Sequence, residues 1–235
     1  MAESAAVSGR AARWSEHNAE RRERIVSAAI RAVEAAPAGA ELSVQSVADE
    51  AGLVRTVIYR HFEGKPDLFR AVQAQVVATL RDRIEDELRI DRTALEILNA
   101  AVAACVTWAD EHPKLHMAIE REVGDGRPSE MSVAIDQLAQ RILSVVGLGA
   151  EKLETTARGV DYATLETVVY GMIGQVRGTL GHWIRLVPRV PTAGELATIL
   201  SRSLWFQVAG QTKDIGIELN PSTPLRELFA ANGGS

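Results

Sequence analysis

Apolar residues recur at spacings of three and four along nearly the whole chain, and alternating runs rich in Val, Ile and Thr are scarce. That pattern predicts helices and no sheet. Over residues 18–36, Ile25, Ala28, Ala29, Ala32 and Val33 share one helical face, and Pro37 and Gly39 end the segment. Ser43 is a good N-cap for a short helix over 44–51, which Gly52 breaks. A second short helix is expected over 55–62. After Gly64 a long one runs over 65–88, with Pro66 in the first turn, where its missing N–H does no harm, and Leu68, Phe69, Val72, Val76 and Leu80 as its apolar stripe. Further helices are expected over 94–110, 114–123, 130–146, 158–186 and 193–211. They are separated by His112-Pro113, by the loop from Gly124 to Pro128, by Gly147-Leu148-Gly149-Ala150 read as a helix-ending turn, and by Pro188 and Pro191. Beyond Gly216 the composition turns to Asn, Pro, Ser, Thr and Gly, which predicts a loosely held tail with one turn at 225–229.

The fold expected is all-α: an N-terminal three-helix helix-turn-helix domain over 18–70 and a larger C-terminal helical domain over 71–215. A flexible arm over 1–17 precedes them and a loose tail over 216–235 follows. With 46% hydrophobic and 24% charged residues in 235, the composition is that of an ordinary globular chain. No run approaches the ~18 apolar residues of a membrane span, and the first residues lack the apolar stretch of a signal peptide. A single cysteine, Cys105, forms neither an internal disulfide nor a cysteine-based metal cluster. The expected location is cytoplasmic, with no membrane partner. Charge gives no help with function. The net charge is −5, and residues 1–65 carry nine Lys and Arg against nine Asp and Glu, whereas a DNA-binding domain is expected to be basic.

The spacing around Gly52 is more informative. Two short helices that cross steeply need a turn residue tolerant of left-handed dihedrals, and Gly52 supplies it. They also need a small residue where they touch, and Ala48 fits. Val47, Ala51, Leu53 and Ile58 would form the miniature core. Arg55, Thr56, Val57, Tyr59 and Arg60 are then left largely outward, a face suited to the major groove. From spacing alone, an ordinary helical hairpin in an all-α protein stands as the alternative.

The run from Leu42 to Phe69 resembles the DNA-binding domain of TetR-family repressors. It shows a small helix rich in Ala and apolar residues, then Ala51-Gly52, then a short helix ending in Tyr59-Arg60-His61-Phe62, then Lys65 and the apolar pair Leu68-Phe69. The likeness is specific over residues 22–70 and beyond that is one of length and helical pattern. It implies contacts to a double-stranded DNA operator. Tyr59 and Lys65 would hold phosphate, Ser43 and Gln45 would hold it from the other side, and Arg55, Thr56 and Val57 would face the bases. Arg55 suits a guanine edge and Val57 a thymine methyl. Arg60 would contact base or phosphate, and His61 would pack or touch phosphate. Arg10 and Arg13 of the arm could reach a minor groove, though the arm is no part of the family pattern. Two departures stand out. Val54 replaces the usual capping Ser or Thr of the reading helix, and Val57 replaces a common Thr.

In that family the larger domain dimerises and binds a small molecule. Gly171, Gly174, Gly178 and Gly181 lie at helical spacing and would let another helix approach closely, either across a homodimer or within the domain. A mostly apolar cavity could draw polar or aromatic anchors from Trp108, His112, His116, Met117, Glu120, Tyr162, Glu166, Tyr170 and Trp183. The chemical identity of an effector does not follow. His112, His116 and Glu120 resemble a metal half-site, but Pro113 disturbs the helix between the histidines, so no metal and no cofactor are expected. No phosphate-binding glycine loop and no nucleophile elbow is present, and Cys105 sits in an Ala- and Val-rich helix as a small core residue, so no enzyme is expected. The function read from the sequence is a homodimeric repressor released from its operator by a small, largely apolar ligand. An all-α small-molecule-binding or scaffold protein with a non-functional helix-turn-helix is the alternative, kept open by the neutral first domain.

Overall fold

The computed structural model describes residues 2–37, 40, 42–89, 91–124, 126–152, 162–214 and 220–230. Among these there is no strand; the nearest approach to one is an isolated antiparallel bridge between Thr93 and Pro224. The described residues fall into two compact units. The first comprises residues 1–77 with 117–131, and the second residues 78–116 with 132–235.

The first unit begins with α1 (Ala2–Ala35), followed by α2 (Val44–Ala51), α3 (Arg55–His61) and the first part of α4 (Lys65–Glu85). The expected flexible arm is thus helical from Ala2. Its Ala, Arg and Glu are strong helix formers that outweigh Ser8 and Gly9. Ser43 caps α2 as expected. Its Oγ accepts the Ser46 N–H at 2.9 Å, and Ser46 Oγ accepts the Ser43 N–H in return. At the other end Gly52 is left-handed (φ 64°, ψ 36°). The Leu53 N–H reaches the Ala48 carbonyl at 2.9 Å and the Gly52 N–H the Asp49 carbonyl at 3.2 Å. This six-to-one and five-to-two pairing ties off the last carbonyls of α2 and starts the chain at its new angle. The core joins Ile25, Ala28 and Ala29 of α1 to Val47 and Ala48 of α2, Ile58 of α3, Phe62, and Leu68 and Val72 of α4, all buried. Ala51 and Leu53, expected in this core, are only half-buried, because both line an open cleft between α1 and α2.

Residues 117–131 belong to this unit too, although the sequence placed them in the larger domain. Two buried polar side chains of α4 hold them. Gln73 donates to the carbonyls of Ala118 (2.9 Å) and Arg121 (2.7 Å), and Arg70 donates to the Pro128 carbonyl (3.0 Å) and pairs with Glu130 (3.3 Å). α6 (Pro113–Ile119) stops short of the expected 123: the Ala118 carbonyl accepts from the Gln73 side chain and, in a tighter turn, from the Arg121 N–H three residues on (3.3 Å).

The second unit contains α5 (Ala94–Glu111), α7 (Glu130–Lys152), α8 (Tyr162–Trp183), α9 (Ala193–Asp214) and α10 (Leu225–Ala230). Thr93 and Glu96 form a capping box on α5, and the same pattern recurs with Thr192 and Glu195 on α9. α5 packs along α9, and Val102, Val106, Trp108, Leu180, Trp183, Leu200 and Leu204 are buried. α7 continues through Gly147 and Gly149 to Lys152 instead of ending there. Two glycines at about 1 kcal/mol each do not stop a helix whose neighbours are Leu, Ala, Glu and Lys. Part of the predicted eighth helix, residues 158–161, lies outside the described residues. The tail over 220–230 is anchored: the Leu225 N–H donates to the Arg92 carbonyl at 3.0 Å beside the Thr93–Pro224 bridge.

Candidate nucleic-acid interface

α3 buries Ile58 and is followed by buried Phe62, which turns Arg55, Thr56, Tyr59 and Arg60 outward. None of these four side chains makes a hydrogen bond or ion pair with the described residues, and Tyr59 is 49% exposed. A seven-residue helix presents two arginines, a threonine and a phenol to solvent with no partner among the described residues. Val57 is half-buried beside them. Val54 is the N-cap of α3, makes no side-chain capping bond and is 65% exposed. Lys65 stands exposed at the start of α4.

The remaining predicted DNA contacts are differently placed. Ser43 is engaged in the capping box, and Gln45 donates to Asp49 Oδ1 at 2.7 Å one turn on. His61 lies among Arg21, Arg22 and Arg60, and partial burial with those three positive charges holds its imidazole below the usual 6.5. It is therefore neutral in the free protein at neutral pH. Arg10 and Arg13 belong to α1.

Sequence reasoning passed over Arg22. Its guanidinium donates to the His61 carbonyl at 2.5 Å, lies 4.0 Å over the Phe62 ring and stands 3.8 Å from Asp67 Oδ1. The partners are 39 to 45 positions away, so no local spacing signals it.

The nine residues expected to line a ligand cavity are dispersed. Trp108, His112 and His116 form one ring cluster, with centroids 5.7 and 6.3 Å from the indole. Tyr162 and Tyr170 bond to Gln140 (3.3 Å) and Asp136 (2.7 Å), joining α8 to α7. Trp183 donates its indole N–H to the Pro191 carbonyl at 2.6 Å. Glu166 is half-buried on α8, and Met117 and Glu120 belong to the first unit. Met117 and Tyr162 are exposed, so neither walls a cavity within one chain. None of the nine lines either of two open clefts. One, of about 550 Å³, lies between α1 and α2, and another, of about 420 Å³, lies beside Ala100 and Ala104 of α5. No group of three potential metal ligands occurs among the described residues. Burial pushes the Cys105 thiol up to about 12, which leaves it without nucleophilic character. No helix among the described residues is long and apolar enough to cross a membrane.

Residues 25–72 match the family profile of the bacterial regulatory proteins, tetR family. The HTH-type transcriptional regulator Rv0472c of Mycobacterium tuberculosis is 26% identical over 203 residues, covering 86% of this chain and 83% of its own. Residues 25–72 thus carry a TetR-family DNA-binding domain. The matched segment lies within the unit built around the α2–α3 crossing, and the protein is a DNA-binding transcriptional regulator. The fold is shared with a TetR-family regulator from Streptomyces coelicolor (TM-score 0.65, 21% identity, 90% of this chain and 89% of that one). It is also shared with the transcriptional regulator FadR from Bacillus subtilis, solved in complex with stearoyl-CoA (TM-score 0.55, 17% identity, 77% and 96%).

Proposed function

We propose that the regulator is a homodimeric repressor that releases its operator when the larger domain takes up a small, largely apolar ligand. The observation that carries the DNA reading is the unsatisfied outward face of α3. Arg55 reads a guanine edge, and Thr56 and Val57 lie against neighbouring bases. Tyr59 and Lys65 hold phosphate, with Arg60, His61, Ser43 and Gln45 at the margin. Arg55→Ala should lose discrimination between operator and scrambled duplex. Equal loss on both would show that it does not read bases.

Two reading heads require two chains. Support for a dimer through α8 and α9 comes from surfaces that the other described residues leave uncovered. Gly171, Gly174 and Gly178 are exposed, and a methyl group built on any of them would meet no neighbouring atom within 4 Å. At Gly181, the fourth of the series, a built methyl group would meet the Arg185 guanidinium at 3.8 Å and no other atom of the described residues within 4 Å. On α9, which is tied to α8 by Gln175–Ser203 (2.8 Å) and Gln207–Gln175 (2.6 Å) bonds, Ile199 and Phe206 are 56% and 61% exposed. Ligand release follows from a change in head spacing away from successive major grooves about 34 Å apart. α4 transmits the change, since it is unbroken from Lys65 to Glu85 while the first unit's share of it ends at Val77. Because FadR carries stearoyl-CoA on this fold, that acyl-CoA is the first probe.

The test is selection of duplexes from a random pool by the full chain, followed by sedimentation of the complex and titration with stearoyl-CoA and with free CoA. A palindromic duplex bound by two copies and released by the acyl form supports the reading. Enrichment of no duplex, or binding by a single copy, refutes it.

A further inference from the structure

Helix α3 is too short to hold its own direction. Seven residues fall well below the ~12–15 at which an isolated helix becomes marginal. Its N-cap, Val54, contributes no side-chain bond, and its C-terminal end closes only with the Phe62 N–H on the Ile58 carbonyl. The geometry of the reading helix must therefore come from what grips it from outside. Ile58 and Phe62 supply apolar burial, which is tolerant of small rotations. Directional contact at the far end comes from Arg22 of α1.

Arg22 grips that end in three ways at once. One Nη–H donates to the carbonyl of His61, the last residue of α3. The guanidinium plane covers the Phe62 ring. The other Nη faces Asp67 in the first turn of α4, and the second oxygen of Asp67 accepts the Glu63 N–H at 3.0 Å, inside the α3–α4 turn. Three helices thus meet at one planar group with a fixed fork of donors, which resists rotation as a lysine or an apolar residue would not. The guanidinium is engaged at His61, Phe62 and Asp67, although the side chain as a whole is 43% exposed. It also lies three positions before the family match begins.

We propose that Arg22 is the positioning residue of the reading head: by tying the end of α3 and the Phe62 ring to α1 and α4, it sets the tilt at which Arg55, Thr56 and Val57 meet the bases. It contributes to operator discrimination without touching DNA. This rests on the reading of α3 as the recognition helix.

The experiment uses the full chain and the duplex it selects from a random pool. Affinities for that duplex and a scrambled one are measured across a salt series for the wild type and for Arg22→Gln, Arg22→Lys and Asp67→Asn. Arg22→Gln should bind the selected duplex about tenfold less tightly, as for loss of one charge-assisted bond. The scrambled duplex and the salt slope should be unchanged. Arg22→Lys, which keeps a cation over the ring, should recover part of the loss, and Asp67→Asn should show a smaller loss of the same kind. Helical circular dichroism establishes that each variant is folded. If Arg22→Gln does not fold, Arg22→Lys and Asp67→Asn carry the test, and unaltered discrimination in both overturns the proposal. Equal loss on both duplexes with the salt slope reduced by about 0.9 would make Arg22 a phosphate contact and overturn it as well. A wild-type chain that selects no duplex overturns the DNA reading and this inference together, whereas a discriminating wild type beside an equally discriminating, folded Arg22→Gln overturns this inference alone.

Discussion

Replacing Gly52 by alanine isolates the backbone conformation on which the α2–α3 crossing depends. The residue is left-handed at φ 64°, and a methyl group there would meet no atom within 4 Å, so no steric clash enters. What remains is the left-handed penalty of an L-residue, about 1–2 kcal/mol. The smaller backbone entropy of the unfolded alanine chain offsets none of it usefully at this φ. Asparagine visits this region more readily and should be milder, while valine, branched at Cβ, should be worst. The measurement is native-state amide exchange in low urea, following Val47 and Ile58, which are buried and exchange only when this unit opens. Protection should fall in the order Gly, Asn, Ala, Val, with Ala about 1–2 kcal/mol below the wild type. An alanine variant as protected as the wild type, or asparagine worse than valine, would refute the claim that a left-handed residue at 52 closes α2. The Gly52 and Leu53 N–H groups would then have to reach the α2 carbonyls by another turn.

Other expectations follow from the same geometry. Ile58→Ala removes a 1%-exposed side chain beneath α3 and should destabilise the first unit by about 2–5 kcal/mol, read by urea unfolding; a loss under about 1 kcal/mol would mean that α3 is not seated as described. Tyr59→Phe removes a hydroxyl with no partner among the described residues, so the unfolding midpoint should not move while affinity for the selected duplex falls about three- to tenfold; unchanged affinity would remove Tyr59 from the phosphate contacts. The His61 imidazole is held below its usual 6.5 by burial and by Arg21, Arg22 and Arg60. As pH drops through 6.5 the unfolded chain takes up a proton that the folded one resists, so stability should fall below 6.5 and be unaffected above it. Phosphate beside His61 would oppose those arginines and draw a proton in on binding. Operator affinity should therefore rise as pH is lowered from 7.5 to 5.5, and a His61→Asn variant should lose that slope; a profile identical in the variant would place His61 away from the phosphates.

The helix ends of the first unit were legible in the sequence because their causes are local. A hydroxyl three residues before its partner N–H caps α2, a glycine free of Cβ closes it, and Pro66 and Pro113 sit where an N–H is not needed. The outward face of α3 was legible for the same reason, since it is the complement of the apolar positions Ile58 and Phe62. Glycine was misleading within α7, where Gly147 and Gly149 were read as a stop and the helix carries on to Lys152. A weak helix former terminates a helix only where the residues around it also stop propagating. The arm was misjudged through its Ser and Gly, although Ala, Arg and Glu dominate it.

Which distant polar groups meet depends on packing and has no local signal. Arg22 on His61, Phe62 and Asp67, Gln73 on Ala118 and Arg121, and Arg70 on Pro128 span 39 to 58 positions. The physical reason is that a hydrogen bond between remote segments carries no period. Apolar burial brings those segments together on a repeat that the sequence displays. Which carbonyl then lies within reach of a guanidinium or an amide depends on crossing angles set by the whole core. Local pattern thus sufficed to turn Arg55, Thr56, Tyr59 and Arg60 outward on the second of two short helices. Packing decided that Arg22 grips the end of the second helix and that residues 117–131 belong with it.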